Sequence, residues 1–158
     1  IEEIVDRTLA LLSHDLEMKG VKVVKRVDSD LPEVQCDFKQ IQQALLNVVS
    51  NASEAMAGGG VLTVRVKGSI AVRTMEIRVS DTGSGIEKKH LKSVLEPFFT
   101  TKEEGKGVGL GLSVVYGIVT RHRGTIEVES EPGEGTTFTI RLPLVNDSQR
   151  LEYDMFDV

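Results

Sequence analysis

Apolar residues recur along this chain with two different spacings. Every third or fourth position is apolar at the start of the chain, in a long central stretch and again after residue 110, which predicts three helices. Five shorter runs alternate apolar and polar residues and predict strands. The predicted helices cover 1–18, 38–55 and 110–122, and the predicted strands cover 21–27, 61–67, 74–80, 125–130 and 136–142. A short polar helix from Glu87 to Ser93 is also expected.

The order of these elements predicts the fold class. Four of the five strands fall into two hairpins with helices between them. We therefore expect an α+β fold, a two-layer α/β sandwich with a mixed, mostly antiparallel sheet of about five strands and about three helices on one face. Asp37 and Gln40 are predicted to cap the start of the long helix. We assign 1–144 to one domain and 145–158 to a C-terminal tail.

Composition and charge exclude several classes of function. The 158 residues fit one domain, and a net charge of −5 argues against a nucleic-acid partner. The single cysteine, Cys36, excludes an internal disulfide framework and is expected to be a small buried hydrophobe. No apolar run approaches the roughly 18 residues of a membrane span. We expect a cytoplasmic piece without membrane contact, whose parent chain could carry an anchor elsewhere.

Three polar residues share one face of the long central helix. Asn47, Asn51 and Glu54 are spaced four and three residues apart, at the edge of the apolar stripe. By itself this spacing is typical of a solvated helix face, because asparagine is a mediocre helix former that often faces water. The face is informative only together with the two motifs that follow.

The run Asp81-Thr82-Gly83-Ser84-Gly85 ends the third predicted strand. Asp81 has the parity of the apolar residues before it, so its carboxylate is predicted to point toward the core. A buried carboxylate needs a donor, and the glycines let the backbone approach a flat ligand. Adenine offers an amino group there, whereas guanine would leave Asp81 facing an acceptor. An ordinary Asp-Gly turn is the alternative.

A glycine-rich run from Gly105 to Gly111 precedes the last helix. It matches neither common nucleotide motif. The dinucleotide pattern counted from Gly107 requires glycine at Leu112, and the Walker pattern requires serine or threonine after Lys106. Alternating glycines at a helix start still expose N–H groups at the positive end of the helix dipole, which favours phosphate. A flexible surface loop is the alternative.

Taken in order, these runs resemble the ATP-binding catalytic domain of sensor histidine kinases, in the superfamily that also contains gyrase, Hsp90 and MutL. The resemblance rests on QIQQALLNVVSNASEAM (40–56), DTGSGI (81–86), EPFFTTKEEGKGVGLGLSVV (96–115) and GEGTTFTIRLP (133–143). These resemble the N, G1, F and G2 boxes and the closing strand, and the likeness covers about residues 1–143. It implies a Bergerat-type fold with ATP and Mg²⁺ as cofactors.

The resemblance also implies roles for single residues. Asn51 supplies an oxygen to Mg²⁺ with Asn47 beside it, and Asp81 binds the adenine amino group with Thr136 nearby. The residues implied to line the base are Gly83, Gly85 and Ile86, and those implied to bind phosphates are Gly107, Gly109, Leu110 and Gly111. The stretch from about Phe98 to Val108 is implied to be a mobile lid, with Lys102 or Lys106 reaching the phosphates. Catalysis is assigned to Asn47, Asn51 and Lys102.

Two positions depart from the family pattern. Many of these kinases carry lysine where this chain has Glu54, and an aromatic residue where it has Ala55. We still place Glu54 at the nucleotide site, and we expect Lys102, Lys106 and the helix start to neutralise the phosphates. The combination of Glu54-Ala55-Met56 with PFFTTK resembles the nitrogen-regulatory branch of the family.

The residue at position 47 separates a kinase from a hydrolase. Hydrolases of this superfamily carry a general-base glutamate four residues before the metal asparagine, and here that residue is Asn47. An amide cannot accept a proton at neutral pH, so Asn47 is not predicted to activate water for hydrolysis of ATP. Instead, a histidine of a partner domain is predicted to attack the γ-phosphoryl group. The expected partners are a histidine phospho-acceptor and dimerisation domain in the full-length chain and a response regulator downstream. A nucleotide-gated interaction module without phosphotransfer and a serine protein kinase are the alternatives.

His14 lies in SHDLE (13–17), which superficially resembles a phospho-acceptor box. Only residues 15–37 separate it from Phe38, and they already contain a strand and a turn. No room remains for the second helix of an acceptor hairpin, so we interpret His14 as part of the first helix of the ATP domain. The tail lies beyond the resemblance and is expected to be a partly ordered terminus.

Overall fold

The computed structural model describes residues 1–97, residue 99 and residues 111–145. Its elements are α1 (Glu2–Met18), β1 (Val21–Val27), α2 (Phe38–Ala55), β2 (Gly60–Ser69), β3 (Thr74–Asp81), α3 (Gly111–Arg121), β4 (Thr125–Glu131) and β5 (Gly135–Pro143). All three long helices and all five strands of the sequence prediction are confirmed, with ends that differ by no more than two residues.

The five strands form one mixed sheet in the order β1-β2-β3-β5-β4. Only the β1–β2 pair is parallel, because α2 carries the chain back across the sheet between these two strands. The pairs β2–β3, β3–β5 and β4–β5 are antiparallel. The predicted α+β class with a mixed, mostly antiparallel sheet is confirmed.

One face of the sheet carries the core. Buried side chains of β2, β3 and β5 lie opposite one another in register, as in the row formed by Val64, Val79 and Phe138. The helices α1, α2 and α3 pack over this face, while the opposite parity is mainly polar. Burying each Val, Leu or Ile contributes about 1.5–3 kcal/mol, so alternation alone selects which face the helices cover.

Helix α2 is fixed at its start by the predicted cap. The Asp37 carboxylate accepts the Gln40 N–H at 3.0 Å. Unlike a capping box, the Asp37 N–H donates to His122 Nε2 at 3.0 Å, which joins the start of α2 to the end of α3. This contact holds the two helices that carry the candidate motifs against each other.

Two smaller predictions need correction. Residues 87–93 form successive turns, in which the His90 N–H donates to the Glu87 carbonyl at 2.8 Å, and no α-helix. The segment has a single apolar residue, Leu91, so a helix there would have no face to bury. Cys36 is half-buried at the edge of the core, where burial raises the pKa of its thiol.

Candidate functional site

Helix α2 forms the wall that joins the candidate motifs. Asn47, Asn51 and Ala55 lie on three successive turns, so they span about 12 Å along the helix axis. Asn47 Nδ2 donates to the carbonyl oxygen of Gly111, the first residue of α3, at 3.2 Å. At the other end, the Ala55 carbonyl accepts the Ser84 N–H at 3.1 Å. Asn51 therefore lies between the start of α3 and the loop that follows β3.

Asp81 is the buried carboxylate of the site. It ends β3 with 8% of its surface exposed, and its cross-strand partner on β5 is Thr136. Asp81 Oδ1 accepts the Gly83 N–H at 2.8 Å and the Thr136 N–H at 3.3 Å. No residue of the described part of the chain donates to Oδ2. One oxygen is thus used to fix the carboxylate, and the other has no donor among the described residues.

Burial controls the protonation of Asp81. Loss of hydration raises the pKa of this carboxyl above its ordinary value, and the N–H donors of Gly83 and Thr136 oppose the rise. A carboxylate that is held in an apolar setting with a free oxygen gains most from a ligand that donates a hydrogen bond.

The glycines after Asp81 serve the protein backbone. A Cβ on Gly83 would lie 2.6 Å from the Ala55 carbonyl oxygen, and a Cβ on Gly85 would collide with the carbonyl of Glu131. Gly85 also has φ of +72°, which L side chains rarely adopt. The structure shows close approach by α2 and by the β4–β5 turn at these glycines, and their approach to a ligand stays a prediction.

Ser130 belongs to the site and was missed in the sequence. Its Oγ accepts the Ile86 N–H at 2.7 Å and lies 2.9 Å from Thr136 Oγ1. It also donates to the Gly135 carbonyl at 2.9 Å. The signal that could have revealed it is its parity, because Ser130 continues the half-buried positions Ile126 and Val128 of β4.

The other predicted site residues have different outcomes. Thr136 is buried, Ile86 is half-buried, and Glu54 is exposed near the end of α2. Gly111 is the one member of the glycine-rich run that the structure describes, and a Cβ there would meet open space. Outside the described residues lie Lys102, Lys106, Gly107, Val108, Gly109 and Leu110, as do Phe98 and tail residues 146–158.

The comparisons with known proteins fit this geometry. The family model described as "Histidine kinase-, DNA gyrase B-, and HSP90-like ATPase" matches residues 36–146, well over half of the chain. This chain belongs to that ATPase family. The match contains the wall formed by α2, the Asp81 loop, α3 and the final hairpin, so the chain is an ATP-binding domain.

Members of this ATPase family with curated names are also similar to the chain. The sensor histidine kinase ZraS of Escherichia coli K12 is 39% identical over 144 residues, which cover 91% of this chain and 30% of ZraS. Sporulation kinase E of Bacillus subtilis is 36% identical over 154 residues, which cover 98% of this chain and 20% of that kinase. The chain therefore spans about a third or less of the length of these relatives.

Solved structures support the same family at the level of fold. The catalytic domain of histidine kinase ThkA has a TM-score of 0.80 at 26% identity, with 90% of this chain and 91% of that chain covered. Full-length ShkA, solved with AMPPNP, has a TM-score of 0.81 at 27% identity, with 92% of this chain and 30% of ShkA covered. The recognition of a histidine-kinase catalytic domain is confirmed, and the nitrogen-regulatory branch stays a prediction.

His14 occupies an exposed position on α1 of this ATPase-family domain. Strand β1 follows α1 directly, and the next helix begins only at Phe38, so the hairpin of a phospho-acceptor domain is not formed here. Across the part of the chain that the structure describes, no helix is both long and apolar enough to cross a bilayer.

Proposed function

We propose that this domain binds Mg·ATP and transfers the γ-phosphoryl group to a histidine of a separate phospho-acceptor domain. The observation that carries the proposal is the buried Asp81 carboxylate, which has one oxygen fixed by the backbone and the other open to a donor. An adenine amino group donates a hydrogen bond to that oxygen. The guanine carbonyl is itself an acceptor and would leave the carboxylate oxygen without a donor.

The polar wall of α2 supports phosphate and metal binding. The described residues contain no group of three or more His, Cys, Asp or Glu that could hold a metal ion. This fits Mg²⁺, which takes few protein ligands and completes its coordination with phosphates and water. The Asn51 amide is half-exposed and makes no hydrogen bond to a described residue, so its oxygen is available. When bound, Mg²⁺ would neutralise charge on the β- and γ-phosphates.

The remaining phosphate ligands come from the start of α3 and the run before it. Asn47 holds the Gly111 carbonyl, which orients the first turn of α3 relative to Asn51. N–H groups at a helix start favour anions, and Lys102 and Lys106 would add positive charge. These lysines and glycines 107 and 109 stay predictions, because they lie outside the described residues.

The site favours transfer to an added nucleophile over hydrolysis. Asn47 donates its amide N–H to Gly111, and an amide has no basic group to deprotonate water. A neutral imidazole nitrogen of the acceptor would attack the γ-phosphorus. An N–P bond forms as the bond from the γ-phosphorus to the β-phosphate oxygen breaks, ADP leaves, and the other ring nitrogen of the imidazole loses its proton to water. The domain contributes by holding ATP in one orientation.

The partners of the whole protein are also proposals. Curated relatives named as sensor kinases favour an acceptor domain elsewhere in the parent chain and a response regulator downstream, acting in the cytoplasm where ATP is available. They favour this reading over a serine protein kinase or a nucleotide-gated module without phosphotransfer.

The test is trans-phosphorylation. The chain is mixed with an excess of a candidate acceptor domain and γ-³²P-ATP with Mg²⁺, and labelled acceptor is followed with time. We expect label that is lost in acid and kept in alkali, as for phosphohistidine, and slow ATP hydrolysis without acceptor. Acid-stable label would indicate phosphoserine and contradict the proposal, as would rapid hydrolysis by the domain alone.

Three variants sharpen the test. Asp81→Asn should strongly reduce labelling at ATP concentrations near the Kd of the unchanged chain, whereas exposed Asp28→Asn should label normally. His14→Gln should also leave labelling of the acceptor intact, because His14 lies on α1 and no acceptor hairpin surrounds it. Loss of labelling in His14→Gln would show that this histidine takes part in transfer.

A further inference from the structure

Ser130 joins the two sides of the proposed base pocket. Its hydroxyl contacts the backbone of Ile86 in the loop after Asp81 and the hydroxyl of Thr136 at the start of β5. Thr136 is the direct cross-strand partner of Asp81, and its N–H already binds Asp81 Oδ1. Within the described residues, Ser130 is the side chain that bridges the loop to Thr136.

The single proton of Ser130 fixes the direction of the Thr136 hydroxyl. Ser130 Oγ accepts the Ile86 N–H and donates its proton to the Gly135 carbonyl, a group on a buried residue. A buried carbonyl that loses its donor is costly, so the proton stays there. In the 2.9 Å contact between the two hydroxyls, Thr136 Oγ1 is therefore the donor and Ser130 Oγ is the acceptor. Thr136 Oγ1 consequently offers lone pairs, and no proton, to a ligand.

Two acceptors therefore lie side by side at the end of the β3–β5 pair. They are Asp81 Oδ2 and Thr136 Oγ1, on residues that face each other in register. An exocyclic amino group has two protons and suits such a pair, whereas a carbonyl at the same place would meet two like-polarised oxygens. Without Ser130, the Thr136 hydroxyl could rotate and donate to a carbonyl.

We propose that Ser130 is a positioning residue for base selection: it holds the Thr136 hydroxyl as an acceptor and so strengthens the preference for a 6-amino purine over a 6-oxo purine. This inference rests on the proposed ATP binding. Ser130 itself acts through Thr136, and the specificity it adds is separate from that of Asp81.

The test compares Mg·ATP with Mg·inosine triphosphate, which carries a carbonyl in place of the amino group. Titration calorimetry on the unchanged chain and on Ser130→Ala gives a Kd for each nucleotide. We expect the ratio of the inosine triphosphate Kd to the ATP Kd to fall by about threefold to tenfold in Ser130→Ala, the range of one hydrogen bond. A purely structural loss would weaken both nucleotides equally and leave the ratio unchanged, which would overturn the inference.

Ser80→Ala is the matched control. Ser80 Oγ lies 2.8 Å from Thr137 Oγ1, so it forms the same kind of hydroxyl pair between neighbouring strands, on positions of opposite parity to Asp81 and Thr136. Its loss should not alter the nucleotide ratio. Ser130→Thr keeps the hydroxyl and should restore the ratio of the unchanged chain.

A double-mutant cycle tests whether Ser130 acts through the Thr136 hydroxyl. In Thr136→Val there is no hydroxyl for Ser130 to direct, so adding Ser130→Ala should not change the ratio further. An additive change would overturn the route through Thr136. If Ser130→Ala fails to fold, the near-isosteric Ser130→Cys replaces it, because a thiol is a weak donor and acceptor.

The same titrations distinguish the two proposals. An unchanged chain that is folded and binds no ATP overturns the proposed function, and this inference with it. An unchanged chain that prefers ATP, with the same preference in Ser130→Ala, overturns only the role of Ser130.

Discussion

The base end and the phosphate end of the proposed site are formed by different kinds of group. At the base end, backbone hydrogen bonds and glycines place Asp81: the loop after β3 is held by Ala55 on α2, and Gly133 donates to the Ser84 carbonyl at 2.7 Å. At the phosphate end, the described groups are half-exposed amide side chains on α2, which contact α3 through a single bond of 3.2 Å from Asn47.

This difference indicates how each end is sensitive to change. Asp81 is placed by backbone contacts before a ligand arrives, and altering the glycines that permit those contacts disturbs the fold together with binding. Asn47 and Asn51 are only partly buried and lie outside the core, so we expect their replacement to change stability less than a change in the core does. Substitutions at the two ends should therefore differ in whether they change stability, nucleotide affinity or both.

The largest effect is expected for Asp81→Asn. The amide keeps an acceptor for Gly83 and Thr136 but offers a donor where the carboxylate oxygen was free. ATP affinity should fall by about 10- to 100-fold, since hydrogen bonds to charged groups contribute about 1.5–3 kcal/mol. The nucleotide-free protein should unfold at the same or a higher temperature, because a buried charge is removed. A weaker fold with unchanged affinity would contradict the assignment.

The pH dependence of the same pair gives the next test. Because burial raises the folded-state pKa of Asp81, its contribution to stability is present at low pH and is lost as pH rises through that pKa. ATP binding has the opposite sign: it needs the carboxylate and should weaken as pH falls through the raised pKa of Asp81. Asp81→Asn corrects for titration of ATP itself, and the two affinities should converge at the acidic end.

A pair of glycine substitutions tests the base end as a backbone structure. Gly83→Ala would place a methyl group 2.6 Å from the Ala55 carbonyl, so we expect a loss of about 2 kcal/mol in the free energy of unfolding. In Gly117→Ala, on α3, the new Cβ meets only the Arg121 side chain at 3.5 Å. That change should stabilise the protein by about 0.5 kcal/mol through helix propensity. Urea titrations of both variants measure the difference, and equal effects would refute the contrast.

The smallest effect is expected at the phosphate end. Asn47→Ala removes the bond to Gly111, so ATP affinity should fall by about twofold to tenfold, as for one hydrogen bond of about 0.5–1.5 kcal/mol. Thermal unfolding should change little. Gln43→Ala, one turn earlier and exposed on the same helix, is the control and should leave affinity unchanged. A large loss of stability in Asn47→Ala would mean that this end is also part of the core.

The sequence predicted most of the fold because its apolar periods were regular. Alternation along β3 also predicted that Asp81 would be buried, and spacing on α2 placed Asn47 and Asn51 on one face. Residues 87–93 were predicted as a helix, although they lack an apolar face and form turns. The pairing of Ser130 with Thr136 depends on the register between β4 and β5, and the residues around Ser130 do not by themselves predict that register.

The sequence by itself determined the elements and the buried parity of each strand, and it predicted several polar residues of the candidate site, because periodicity and chemical type are local properties. Only the tertiary structure decided what those residues contact. The β3–β5 pairing puts Thr136 beside Asp81, although 55 positions separate them in the chain. The tertiary structure also shows that Gly83 and Gly85 are needed for close contacts with Ala55 and Glu131. Such close approach between distant segments is a property of packing.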